Sequence, residues 1–224
     1  MTLSNSDLIS RLREIDSCAV SDAMDRLGMA GGADGISSRT GAINRITGRV
    51  ITVHIVPRAD DAPRPHLCTR AIMSADPGDV IVVDNGGRID VSCWGGLLSL
   101  AAVQQQIAGV VLDGACRDVQ EAYELQFPVF AKGTTPRTAR GRIVEESFGQ
   151  PVCISGITVE TGDYVIADPT GTTFIPQSHV DQITSLAKRI VDKEFDMAKS
   201  VKSGQSIIDV MHDQQFDQIR TEGN

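Results

Sequence analysis

The chain has 224 residues, 41% of them apolar and 22% charged, with a formal net charge of −8 and a pI near 4.9. That balance describes a globular protein long enough to bury its own core, and it excludes a disordered or fibrous chain. The acidic surplus argues against direct binding of nucleic acid, and no apolar run reaches the roughly 20 residues that a bilayer-spanning helix needs.

The segment Met1–Asp7 lacks the basic and apolar regions of a secretory leader. The five cysteines, Cys18, Cys68, Cys93, Cys116 and Cys153, are odd in number and widely spaced, with no C-x-x-C pair. They read as reduced, mostly buried thiols of a cytoplasmic protein. Ser6 is placed to cap a short helix with Leu8, Ile9, Leu12 and Ile15 on one face. A second helix is expected to start at Val20-Ser21-Asp22 and to stop near Gly28. Residues 29–44, rich in Gly and Ser, read as loop. Val50 to Val56 is β-branched and strand-like, and 59–65 is an exposed loop.

A short helix over 66–74 leads to the turn Asp76-Pro77-Gly78-Asp79. The apolar run Val80 to Asp84 predicts a buried strand that ends at Asn85-Gly86-Gly87. A helix over 96–106, a strand over 109–112, a helix opening near Asp118 and a strand over 128–131 follow. This alternation predicts a parallel core sheet. Beyond Gly141, strands over 152–154, 157–159, 164–167 and 172–175, separated by turns, predict antiparallel structure. A long helix over 179–201 carries Ile183, Leu186, Ile190 and Val191 on one side. The expectation is one α/β domain over 1–224, with a core over about 15–178 and a helical tail over about 179–212.

Several chemistries find no support. There is no G-x-G-x-x-G after a strand, no Walker A sequence and no G-x-S-x-G elbow. The four histidines share no metal-ligand spacing. Lys132 is the one lysine near the sheet, so a Schiff-base route has a single candidate.

The segment from Trp94 to Asp118 carries the most chemical information. Gly95-Gly96 opens a helix and exposes free amides suited to a carboxylate. Arg117 and Asp118 follow a buried strand, at the end where open α/β sheets place ligands. They offer an anion clamp and a hard oxygen ligand for Mg²⁺ or Mn²⁺. A plainer alternative is that Asp118 simply caps the next helix. Arg137, Arg140 and Arg142 form a local positive patch suited to a small polyanion.

The run GGLLSLAAVQQQIAGVVLDGACRDVQEAYELQFPVFAKGTTP resembles the class II pyruvate aldolase family that includes 4-hydroxy-4-methyl-2-oxoglutarate aldolase and the RraA regulators of ribonuclease E. GDVIVVDNGG upstream and ITVETGDYVIADPTGTTFIP downstream extend the resemblance over about 45–200. It implies a layered α-β-β-α sandwich of the RraA-like, swivelling-domain type with a long C-terminal helix, in a trimer or hexamer. It also implies a metal-dependent lyase that releases pyruvate from a 4-hydroxy-2-oxo acid, with oxaloacetate decarboxylation as a side activity. In that resemblance Arg117 binds substrate oxygens, Asp118 holds Mg²⁺ or Mn²⁺, and Gly95, Gly96 and the amides of Leu97 and Leu98 receive the pyruvyl carboxylate.

One departure stands out. The aldolases carry an acid twenty-one positions before the Arg, where this chain has Gly96. Glu145 and Glu146, beside the arginine patch, are candidate substitutes, as is Glu194 reaching a neighbouring subunit's site in a family-like oligomer. The alternative function is a non-catalytic regulator of a ribonuclease or helicase, favoured by Gly96 and opposed by the intact Arg117-Asp118 pair.

Overall fold

The computed structural model describes residues 5–41, 45–60 and 62–212. Helices α1 (Asn5–Leu12) and α2 (Ser17–Arg26) come first, then the two-residue strands β1 (Gly32–Ala33) and β2 (Ser37–Ser38). Strand β3 (Ile46–Pro57), helix α3 (Thr69–Ser74), strand β4 (Val80–Trp94), helix α4 (Gly96–Gln104), strand β5 (Gly109–Cys116), helix α5 (Val119–Glu124) and strand β6 (Val129–Thr134) form the alternating part. Strands β7 (Ile143–Phe148), β8 (Val152–Ile154), β9 (Ile157–Val159), β10 (Tyr164–Ala167) and β11 (Thr172–Ile175) follow, and α6 (Val180–Lys202) and α7 (Ile207–Val210) close the described chain.

The strand order is β1-β11-β10-β3-β4-β5-β6-β2, with β7 also paired to β3 and the β8–β9 hairpin apart. As expected, β3, β4, β5 and β6 are parallel, and β10–β11 and β8–β9 are antiparallel. Side-chain alternation sorts the apolar residues into three cores. Ile51, Val53, Ile81, Val83, Val110 and Leu112 face α3, α4 and α5. Their neighbours Val50, Val80, Val82 and Val111 face the opposite way, against Val165, Phe174 and the β8–β9 hairpin. Tyr164, Ile166 and Ile175, on the far side of β10 and β11, pack under α1, α2 and α6. The result is helix, sheet, sheet, helix in layers. Each fully buried Val, Leu or Ile contributes about 1.5–3 kcal/mol to that arrangement.

Four sequence expectations are corrected. The second helix starts at Ser17, because Asp16 accepts the Ala19 amide at 2.8 Å and caps it earlier than Val20-Ser21-Asp22. The stretch 29–44 holds β1 and β2; residues 42–44 lie outside the described residues, as does the Ser6 side chain. The strand from Val80 does not end at Gly86-Gly87. Both glycines take positive φ within a register irregularity, and the strand resumes to Trp94. Finally β7 falls where no strand was expected, because two adjacent glutamates interrupt its apolar pattern.

Asp168, just after β10, ties the helical layer to the sheet. Its carboxylate accepts the Ser17 amide and hydroxyl, both at 2.8 Å, and the amides of Thr170 and Gly171 at 2.9 and 3.3 Å. Burial pushes this carboxyl up, but the donors from Ser17, Thr170 and Gly171 outweigh it and hold the group below its ordinary range. Its stabilising effect is therefore complete above the unfolded-state value of about 3.9 and is lost as pH falls through the lower folded-state value. Asp168→Asn should cost about 2–3 kcal/mol at pH 7, measured by urea unfolding, and should make stability less steep below about pH 4.

Candidate active site

The chain reaches the site along two paired strands. Trp94 at the end of β4 and Cys116 at the end of β5 are register partners, and the Arg117 amide donates to the Trp94 carbonyl at 3.0 Å. Gly95 and Arg117 therefore leave the sheet side by side. Trp94 is buried, stacked on Phe127 at 6.1 Å and bonded through Nε1 to Ser99 Oγ at 2.9 Å, which fixes the floor.

Asp118 occupies the N-cap position of α5 in the left-handed region (φ 54), a costly conformation for a non-glycine residue. Its side chain does not cap that helix. Instead Oδ2 accepts the Gly96 amide at 3.0 Å and pairs with Arg117 Nε at 3.2 Å. The capping alternative fails here: the carboxylate is turned across the gap toward α4. Helix α4 opens at Gly96 with no side-chain cap, so the amides of Leu97 and Leu98 have no carbonyl one turn back within the helix. They are free to bind an anion.

The glycine pair permits a close approach of two side chains. A Cβ at Gly95 would lie 2.8 Å from Asp118 Oδ2, and one at Gly96 would lie 1.7 Å from Glu121 Oε2. Glu121 thus places its carboxylate where a side chain at position 96 would stand. It lies in the first turn of α5, three residues after Asp118. That spacing was available in the sequence as the signal for Glu121.

These residues line one cavity of about 560 Å³. Gly95, Gly96, Arg117, Asp118 and Glu121 line it, as do His66, Leu67, Thr69, Ile72 and Met73, together with Arg140. Every residue expected from the sequence, Gly95, Gly96, Leu97, Leu98, Arg117 and Asp118, is brought together there. Of the proposed substitute acids, Glu145 and Glu146 are not. Glu145 is buried and paired with Arg70, Glu146 pairs with His54 Nε2 at 3.2 Å, and Glu194 lies against the Asp16, Asp22 and Arg26 side of α2. Of the arginine patch only Arg140 reaches the cavity, while Arg142 donates to the Thr138 carbonyl. Lys132 is ion-paired with buried Asp113 at 2.6 Å and does not line the cavity, which removes the Schiff-base candidate.

The class is defined by a mixed α/β sandwich with an Arg-Asp pair facing a glycine-opened helix at the carboxyl ends of parallel strands. The family model for Aldolase/RraA, RraA-like, matches residues 17–173, and the chain belongs to that family. Among relatives, protein DlpA of Legionella pneumophila is 29% identical over 212 residues, covering 95% of this chain but 34% of DlpA. The chain thus spans about a third of that relative's length. A Halalkalibacterium halodurans protein named as a candidate 4-hydroxy-4-methyl-2-oxoglutarate aldolase is 30% identical, covering 84% of this chain and 86% of its own. The crystal structure of Streptomyces coelicolor RraAS2, described as an unusual member of the RNase ES inhibitor RraA family, superposes with a TM-score of 0.80. It is 26% identical and covers 88% of this chain and 100% of its own.

Cys93 lines the cavity but is not a nucleophile. Burial pushes its thiol far up, and burial likewise pushes Cys116 up to about 11. In the native protein a thiol reagent at pH 7.5 should titrate Cys18 and Cys153, the two exposed cysteines of five, and all five in urea. Gly96→Ala gives a sharper test of the site. Alanine favours the helix, and the flexible Glu121 side chain can swing aside, so the melting temperature should change little. Activity should fall, because the acid is displaced.

Proposed function

We propose that this chain is a divalent-metal-dependent lyase that cleaves a 4-hydroxy-2-oxo acid to pyruvate and decarboxylates oxaloacetate as a side activity. The observation that carries the reading is Glu121, whose carboxylate fills the space over Gly96 beside the Arg117-Asp118 pair. It supplies an acid at the place where sequence alone leaves a glycine.

The donor set suits Mg²⁺ or Mn²⁺. Among the described residues no group of three or more His, Cys, Asp or Glu forms a complete cage. These hard cations commonly bind through one or two carboxylates and fill the remaining positions with water and substrate oxygens. Asp118 would hold the ion, and when bound the ion would supply Lewis-acid polarisation of the keto and carboxylate oxygens.

The chain's own residues do the rest. The Leu97 and Leu98 amides receive the substrate carboxylate at the positive end of α4. Glu121 accepts the C4 hydroxyl proton as the C3–C4 bond breaks, and the bonding pair flows into the pyruvate enolate. Arg117 stabilises the charge developing on the enolate oxygen. Protonation at C3 then completes pyruvate. Oxaloacetate forms the same enolate when it loses CO₂. Arg140, which also lines the cavity, is placed to grip a distal carboxylate.

The alternative, a non-catalytic regulator of a ribonuclease or helicase partner, draws on the likeness to RraAS2. Its argument from a missing acid at Gly96 weakens once Glu121 occupies that space.

Pyruvate release from 4-hydroxy-4-methyl-2-oxoglutarate and from oxaloacetate, with Mg²⁺, Mn²⁺ or EDTA in parallel, tests the reading. EDTA should abolish release, and Arg117→Ala or Asp118→Ala should each depress kcat by roughly 10²-fold or more. Wild-type rates in either variant would refute the assignment.

A further inference from the structure

One wall of the cavity, residues 66–74, is seated in the core by Leu67, Cys68, Ala71 and Ile72, but its helix start has no cap of its own. Helix α3 has six residues, far below the length at which a helix is stable alone. Its N-cap, Cys68, is left-handed (φ 66), strained for a non-glycine side chain, and contributes no side-chain cap. Yet this segment brings Thr69, Ile72 and Met73 to the cavity.

The polar tie at that start comes from β7. Glu145 is 8% exposed, and its Oε2 accepts the Cys68 amide at 2.5 Å. Its Oε1 takes Arg70 Nε at 2.8 Å and Nη2 at 2.7 Å. The Arg70 guanidinium also lies 4.8 Å over the ring of Phe148, on the same strand. A single buried carboxylate thus clips both the strained N-cap and the first turn of α3 to the sheet. A buried charge is tolerated only when paired and hydrogen-bonded, and here both conditions hold. Strand alternation explains the tandem acids. Glu146 points to the opposite face and meets His54, while Glu145 points under α3.

We propose that Glu145 is a positioning residue that holds the 66–74 wall through Cys68 and Arg70 and so sets affinity for the part of the substrate beyond C3. It does not line the cavity and touches no reacting atom. The inference rests on the lyase reading for its kinetic half, while its structural half can be tested without turnover.

The experiment compares the full-length wild type with Glu145→Ala and Glu145→Gln by hydrogen exchange and by steady-state kinetics. Glu145→Ala should raise exchange in 66–74 and leave 117–121 unchanged. KM for 4-hydroxy-4-methyl-2-oxoglutarate should rise roughly tenfold or more, the signature of binding lost equally from ground and transition states. The kcat values for that substrate and for the smaller oxaloacetate should stay within about twofold. Glu145→Gln keeps an acceptor for the Cys68 amide but loses the charge facing Arg70, so exchange in 66–74 and KM should fall between wild type and the alanine variant; that intermediate rise carries the test if the alanine variant fails to fold. Unchanged exchange in 66–74 overturns the proposal, as does an equal fall in kcat for both substrates with KM unmoved. If the wild type releases no pyruvate, the lyase reading fails, and the exchange result still decides whether Glu145 holds the wall.

Discussion

Strand β3 belongs to two sheets at once, and the layered architecture follows from that shared backbone. Its first residues, Ile46–Arg49, pair antiparallel with β10, and Val50–His54 pair in parallel with β4. The far end, Val53–Pro57, takes β7, with a register shift between His54 and Ile55. With a side-chain period of two, β3 sends Val50 into the core between the sheets and Ile51, Val53 and Ile55 toward the helices α3, α4 and α5. A one-residue slip of β3 would exchange those faces and expose two cores together. The parallel order it starts, through β4 to β6, also brings the ends of β4 and β5 to the same level.

At that level the site depends on close approach. The left-handed backbone at Asp118 turns its carboxylate away from α5 and onto the Gly96 amide. The fold thus gives up a helix cap and holds a strained residue, a cost that persists where the surrounding structure determines it. Two glycines then let Asp118 and Glu121 come within reach of the α4 backbone. The Arg117-Asp118 side of the cavity is polar and rigid, built on strand ends and helix starts. The 66–74 wall is a short segment clipped to β7 by Glu145.

The sequence was legible wherever local pattern carried the information. Strand periodicity placed β3, β5, β6 and β8 to β11 to within a few residues, because β-branched alternation and turn residues are local signals. The same local reading brought Gly95 to Leu98, Arg117 and Asp118 forward, since free helix-start amides and a charged turn after a buried strand are short-range features. It failed where a distant partner overrode local chemistry. Gly86 and Gly87 look like a terminator but serve as an irregularity, because β5 continues beside them and keeps β4 extended.

By itself, then, the chain determined its alternating core, its antiparallel half, its long final helix and the residue types of the site, all of which depend on spacing along the backbone. Only the tertiary structure decided which acid answers the glycine at 96, because Glu121 reaches that space from another helix. It also decided that Asp118 serves α4 and not α5, that Arg140 alone of three arginines reaches the cavity, and that Glu145 works from beneath the wall. These are contacts between segments that strand pairing brings together, and no local pattern encodes the distances between them.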